Sequence, residues 1–501
     1  MSINYLHNDP AAAPRRIEAK APRAEPRSEH ARFEFPQTYP ERRYDFGEPG
    51  FLFWQCREAA LATLEAWALI DRPLRAWQSG SRRLLLRADH GPGLNAHYDR
   101  AAVSFFSWPS GTPMHTGASG DAVAHEVGHA ILDAIRPDLW DAVFTEIAAF
   151  HEAFADCLAL LVGFFDLESN KLLLDEVATL KRANFLEAIA ESVAVAIRAE
   201  HGAGHPQSQP RRAANHFAWQ FPVTLPPRAA PAALSSEPHS FSQVFTGSFY
   251  DVVANIFAMQ DRQDALTLRD CALTAGRLLA KAAHSAPETM RFFQAVGRTM
   301  ILEDAEQNDG RHHLAIKEAF AEHGIALGSS AMLAPTVPLS GSAPRLNARS
   351  RVAPLTGAVL RDVRARMTVR ARARIGVGTV KIGGQRVAKV VHRRRVPLDH
   401  LGDELRGVTG QALEAVLVGA SAKRAAILGE LPNPQLTEQE VSSFVEGLLA
   451  SEQVRRAASR GATAPAAGAE GPATHAVRKR GKRKLLKRIR FSCGVRGVDG
   501  A

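Results

Sequence analysis

Apolar residues first fall into helical spacing at Arg57–Ile70, "REAALATLEAWALI", after an opening stretch rich in Pro, Arg, Glu and Ala that has neither a helical nor a strand period. That stretch, residues 1–50, reads as a disordered arm. "RRLLLRAD" and Ala101–Trp108 then alternate as short strands flanked by Gly and Pro. From Asp121 onward the pattern is helical, with apolar faces over 120–135, 141–165, 172–199, 248–260, 264–284, 287–303 and 312–323, and a Pro- and Ser-bearing loop region over 201–236. Strands first and helices afterwards predict an α+β fold.

Past Ile325 the pattern dissolves into a linker, 328–344. "MTVRARARIGVGTVKIGGQRVAKVVHRRR" alternates apolar and basic residues around Gly pairs, which predicts a hairpin or small sheet with one charged face. Helices are predicted over Asp403–Leu428 and Thr437–Ala458. Residues 345–460 thus read as a small basic α+β region, separate from a main body over 51–327. Residues 461–501 read as a low-complexity tail ending in "RKRGKRKLLKRIRF".

Composition sharpens this division. Residues 341–501 hold 31 of the 62 Lys and Arg but only 12 of the 52 Asp and Glu, so a basic C-terminal third follows an acidic body. No transmembrane segment is expected, because no stretch reaches the about 18 uninterrupted apolar residues a span needs; Ala153–Phe165 is short and contains Asp156. The N-terminus lacks the apolar centre of a secretory signal, so a cytoplasmic location is expected. Four widely spaced cysteines without a CxxC pair argue against a disulfide framework and against a cysteine-based metal site.

The chemistry concentrates in "DAVAHEVGHAILDAI" (121–135). Residues four apart on a helix share a face, so His125 and His129 can converge on one point, as zinc requires of its first two ligands. Glu126, beside them, can take a proton from water at such a metal. On its own the motif is equally compatible with two satisfied core histidines and a solvated Glu. "HEAFADCLALLVGFF" shifts that balance, because Glu152 and Asp156 sit in a helix apolar on nearly every side, and buried carboxylates must be paired or coordinated. Glu152 then becomes a third zinc ligand, and Asp156, one turn on, can hold the free N–H of a zinc-binding histidine.

HExxH followed after a turn by ExxxD on a second helix resembles the thermolysin-like gluzincin metallopeptidases. Asn95–Ala96–His97–Tyr98 is similar to the family's edge-strand segment, and Asp121, "EPHSFSQVFTGSFYDVV" and Arg311–Ile325 also match in spacing. The resemblance covers about 50–327 and implies a small β-containing lobe and a mainly helical lobe with one Zn²⁺ between them. It further implies a peptide or protein substrate bound by Asn95, Ala96 and an arginine at Arg211 or Arg212, of which Arg212 is taken. His239 would stabilise the transition state, oriented by Glu237 in place of the family's Asp. Trp140 stands where the family has a tyrosine. Gly163 replaces a calcium-binding carboxylate, which argues against calcium.

The resemblance thus implies a zinc-dependent peptidase, to which the basic C-terminal region is an extension without a counterpart in that family. The alternative is a zincin scaffold of little activity whose basic C-terminal region binds nucleic acid or another polyanion. A third reading lets the tail regulate the acidic body intramolecularly.

Overall fold

The computed structural model describes residues 2–13, 16–108, 114–342, 355–421, 424–455, 473–481 and 483–493. At the N-terminus β1 (Ile3–Leu6) pairs antiparallel with β2 (Ile17–Lys20), burying Ile3, Tyr5 and Leu6 against α1 (Pro49–Ile70). The expected disordered arm is therefore folded: Ile3, Tyr5 and Leu6 find a buried place, and its charges find partners. Glu58, fully buried on α1, pairs with Lys20, Arg23 and Arg57.

A five-stranded sheet follows, built from β3 (Arg32–Glu34), β4 (Arg83–Arg87), β5 (Ala96–Tyr98) and β6 (Ala102–Phe105), with β19 (Phe491–Ser492) arriving from the far end of the chain. Its order is β19-β5-β6-β4-β3. The short β7 (Ser107–Trp108) and β8 (Met114–His115) pair beside it. The helices then pack as one body: α2 (Gly120–Ile135), α3 (Thr145–Phe164), α4 (Leu167–Glu176), α5 (Glu191–His201), α6 (Pro238–Ala258), α7 (Ala265–Ser285), α8 (Phe292–Gln307) and α9 (His313–Glu322). The helix expected over 172–199 is broken into α4 and α5, with β9 (Ala188–Ile189) between them pairing to β10 (Arg211–Arg212). Sheet and helices together make a mixed α+β fold.

Helix α3 lies at the centre, which explains its sequence. By length and composition it is apolar enough to cross a membrane, yet 89% of its apolar window is buried inside the protein. Ser119 starts α2 by accepting a hydrogen bond from the Ala122 N–H at 3.2 Å. The two helices approach closely at Gly128, where an added Cβ would stand 2.7 Å from Ala155 Cα. Gly128→Ala is therefore expected to push α2 from α3 and lower stability by about 1–3 kcal/mol. Denaturant unfolding checks this, and an unchanged midpoint would contradict the close approach.

The C-terminal region is not separate from this body. After α10 (Ser329–Met332), an eight-stranded sheet contains β11 (Pro335–Ser342), β12 (Ile375–Ile382), β13 (Gln385–Pro397), β14 (Val408–Ser421), β15 (Arg424–Leu428), β16 (Val454–Arg455), β17 (His475–Arg480) and β18 (Arg483–Arg488). One face packs on α11 (Gly357–Arg366) through Val359, Val363, Val390 and Val416. Elsewhere Val396, Val408, Leu413 and Leu486, with Val441 and Phe444 of α12 (Pro434–Ala450), join the core of the body itself. Backbone bonds from Val143 N–H to Gln411 O (3.0 Å) and from Ala415 N–H to Glu288 O (2.8 Å) fix the junction.

Three expectations change accordingly. The linker 328–344 contains α10 and β11, residues Asp403–Leu428 are mainly β14 and β15 instead of a helix, and the tail carries β17, β18 and β19. In each case strand pairing with a distant partner overrides local composition. Residues 343–344 of the linker, and 461–472, 482 and 494–501 of the tail, lie outside the described residues.

One buried acid ties the N-terminal hairpin to the helices. Asp9 accepts from the Ala11 and Ser192 N–H groups and from Ser192 Oγ, each at 2.8 Å. Burial, reinforced by the nearby Asp121, raises its pKa from 3.8 to about 7. An acid raised in the folded state gives its full contribution below about pH 4, and loses it as pH climbs through about 7. Asp9→Asn, which can keep these bonds, is expected to melt above the parent at pH 8 and to show no such gain at pH 4.5. Calorimetry at the two pH values checks the sign.

Candidate metal centre

Helices α2 and α3 bring three ligand-type atoms to one point. His125 Nε2 lies 3.3 Å, and His129 Nε2 3.4 Å, from Glu152 Oε2. Atoms about 2.1 Å from one ion at tetrahedral angles stand about 3.4 Å apart. All three residues are buried, and none of the three atoms has a hydrogen-bond partner among the described residues. Such a cluster is costly unless a cation neutralises it, so the donor set fits a metal ion.

The surrounding bonds fix the rings. His125 Nδ1 lies 2.7 Å from Asp156 Oδ1, and Arg211 donates to both oxygens of Asp156, at 2.8 and 3.1 Å. Burial would raise the Asp156 pKa, but Arg211 and His125 outweigh it and hold the group at about 2. Asp156 is thus an anion that holds the His125 Nδ1–H and so turns Nε2 towards the point where the ligand atoms converge.

His129 is held differently, by a residue the sequence reading passed over. Its Nδ1 lies 3.2 Å from His151 Nδ1. Burial drives the His151 pKa well down, so this ring is neutral. With His129 donating from Nδ1, His151 accepts at Nδ1 and carries its own hydrogen on Nε2. The same burial argument that singled out Glu152 applied to its neighbour, and was the available signal.

Glu126 is fully buried and both of its carboxylate oxygens lack a partner among the described residues. Burial, and then the charge of Cys493, push its pKa well above the usual carboxylate range. His239, at the start of α6, places Nε2 3.2 Å from Glu152 Oε2, and its Nδ1 lies 2.8 Å from Glu237 Oε1. Glu237 is also the N-cap of α6, accepting from the Ser240 N–H. Burial would lower the His239 pKa, but Glu152 and Glu237 outweigh it and hold the ring protonated.

The remaining expected residues divide. Asn95 and Ala96 lie at β5, where Asn95 Oδ1 accepts from Ser492 Oγ at 2.9 Å and Ala96 O from the Cys493 N–H at 3.0 Å. Trp140 Nε1 donates to Arg488 O at 3.1 Å, so its N–H is spent on the backbone of the C-terminal region. Arg212 does not face the centre: it pairs with Glu187. Successive strand residues point to opposite sides, so on β10 Arg211 takes the inward position and Arg212 the outward one. A cavity of about 330 Å³ opens beside the centre, lined by Ile189, Val193, Arg211, His239 and Cys493 among others.

The cysteine spacing argued against a cysteine-based metal site, yet one cysteine does reach the candidate centre. Cys493 Sγ lies within 4.8 Å of the ligand atoms of His125, His129 and Glu152, and 3.7 Å from His239 Nε2. Motif spacing could not reveal a single sulfur delivered from the other end of the chain.

Among solved structures, the chain is similar to the precursor of protealysin, a metalloproteinase from Serratia proteamaculans. The identity is 14% and the TM-score 0.35, over 58% of this chain and 85% of that one. No protein-family model and no curated protein matches the chain.

Proposed function

We propose that the chain is a zinc-dependent peptidase of the thermolysin-like gluzincin type. The observation that carries this reading is the set of three buried atoms of His125, His129 and Glu152 at tetrahedral spacing, none with a hydrogen-bond partner among the described residues. Those residues would hold one Zn²⁺, which supplies Lewis acidity to polarise a scissile carbonyl and to make water acidic near pH 7.

The chain's own residues do the rest. Glu126 accepts the proton of the attacking water and passes it to the leaving amine. His239, oriented by Glu237, donates a hydrogen bond from Nε2 to the developing oxyanion. Asp156 and His151 hold the ligand rings in the tautomers that metal binding requires. Arg211, at the wall of the adjoining cavity, positions Asp156 and offers its remaining edge to substrate. The substrate backbone would lie along β5.

The test is zinc content together with cleavage of a mixed peptide library, with and without chelator. About one zinc per chain and chelator-sensitive cleavage are expected; a chain that purifies without zinc and takes none up would remove the reading.

A further inference from the structure

The cleft that a substrate strand would use is filled by the chain itself. Strand β5 would be the edge of its sheet, but β19 pairs with it antiparallel, Phe491 opposite Tyr98 and Ser492 opposite His97. The pairing continues through the Cys493 N–H to Ala96 O. Phe491 is 1% exposed and stacks on His129 and His151, with ring centroids 4.5 and 4.1 Å apart, while Trp140 meets its edge at 5.2 Å. Ser492 bonds to Asn95, and Arg488 and Trp140 exchange two hydrogen bonds. These anchors bring Cys493 to the ligand atoms of His125, His129 and Glu152, which have no hydrogen-bond partner among the described residues.

We propose that the chain is latent, with Cys493 as fourth ligand of the metal held by His125, His129 and Glu152, and residues 491–493 lying in the substrate cleft as a strand on β5. The proposal rests on the zinc reading above. A thiolate at that position completes a closed tetrahedral site, whereas catalysis needs the position open. Opening it exchanges ligands without redox change: the metal–sulfur bond breaks, water enters, and the sulfur takes up a proton. Hydrogen bonds to an edge strand plus one anchored aromatic side chain are the usual means by which an extended peptide is held, so the segment blocks access as well as the metal.

The test uses the intact chain with cobalt(II) in place of zinc. The parent is expected to show sulfur-to-cobalt charge-transfer absorption, and Cys493→Ser to lose it while binding cobalt in the same amount. Iodoacetamide, read by peptide mass mapping, should label Cys493 in the chelated chain and spare it in the zinc-loaded one. Cys493→Ser should also cleave peptides more than about tenfold faster than the parent, and Phe491→Ala, which keeps the sulfur, should speed both labelling and cleavage. Identical cobalt spectra for parent and Cys493→Ser, or labelling indifferent to the metal, would overturn latency and leave the peptidase reading standing. Failure to bind cobalt at all would overturn both.

Discussion

Glutamine at position 126 is expected to leave the metal bound and to cut hydrolysis by about 10²–10⁴-fold, the usual range for losing a general base. The substitution keeps the volume and shape of the side chain, and Glu126 is not among the atoms that converge on the ion position. What changes is the ability to take a proton. The comparison is best made in the Cys493→Ser background, where the fourth position is free, with metal content measured on the same samples. A second outcome follows from burial. Glu126 is a fully enclosed acid with no partner for either oxygen among the described residues, so the neutral amide should cost the fold no more than the acid does. Unchanged or raised melting with abolished cleavage would be the signature of a group kept for chemistry at the expense of stability. Full cleavage by the variant would remove Glu126 from the role of base.

Removing two ligands together should have the other large effect. His125→Ala with Glu152→Ala leaves His129 as the only imidazole of the motif, and zinc content should fall from about one per chain to near zero. A metal held at a thousandfold excess over its dissociation constant stabilises the folded state by about 4 kcal/mol. Chelator should therefore lower the melting temperature of the parent and do nothing to the double variant. A double variant that still carries stoichiometric zinc would mean that the ion sits elsewhere.

The part of the centre legible in the sequence is the part set by local periodicity. His125 and His129 on one helix face, and Glu152 with Asp156 one turn apart on the next helix, need only two helices, which the structure gives as Gly120–Ile135 and Thr145–Phe164. Burial logic then supplies the reason for their meeting. Residues whose position depends on strand alternation or on long-range pairing were out of reach. Arg211 and Arg212 cannot be ordered without knowing that they form a strand. "GQALEAVLVGASAKRAAIL" has the Ala, Leu and Glu content of a helix, but ten residues of β13 pair with β14 and set its conformation. Cys493 lacks any neighbour in sequence that hints at a metal, and only the path of β18 and β19 brings it there.

That path has a kinetic corollary. Strand β18 ends at Arg488 and β19 begins at Phe491, so two residues tether the cleft-filling strand to the eight-stranded sheet. Two residues reach about 7 Å at full extension. Short tethers of this kind hold a ligand at an effective concentration in the millimolar range or above. An added peptide therefore competes with a neighbour that cannot diffuse away, and gains entry on a par with it only at comparable concentration, or once the whole sheet shifts or the tether is severed.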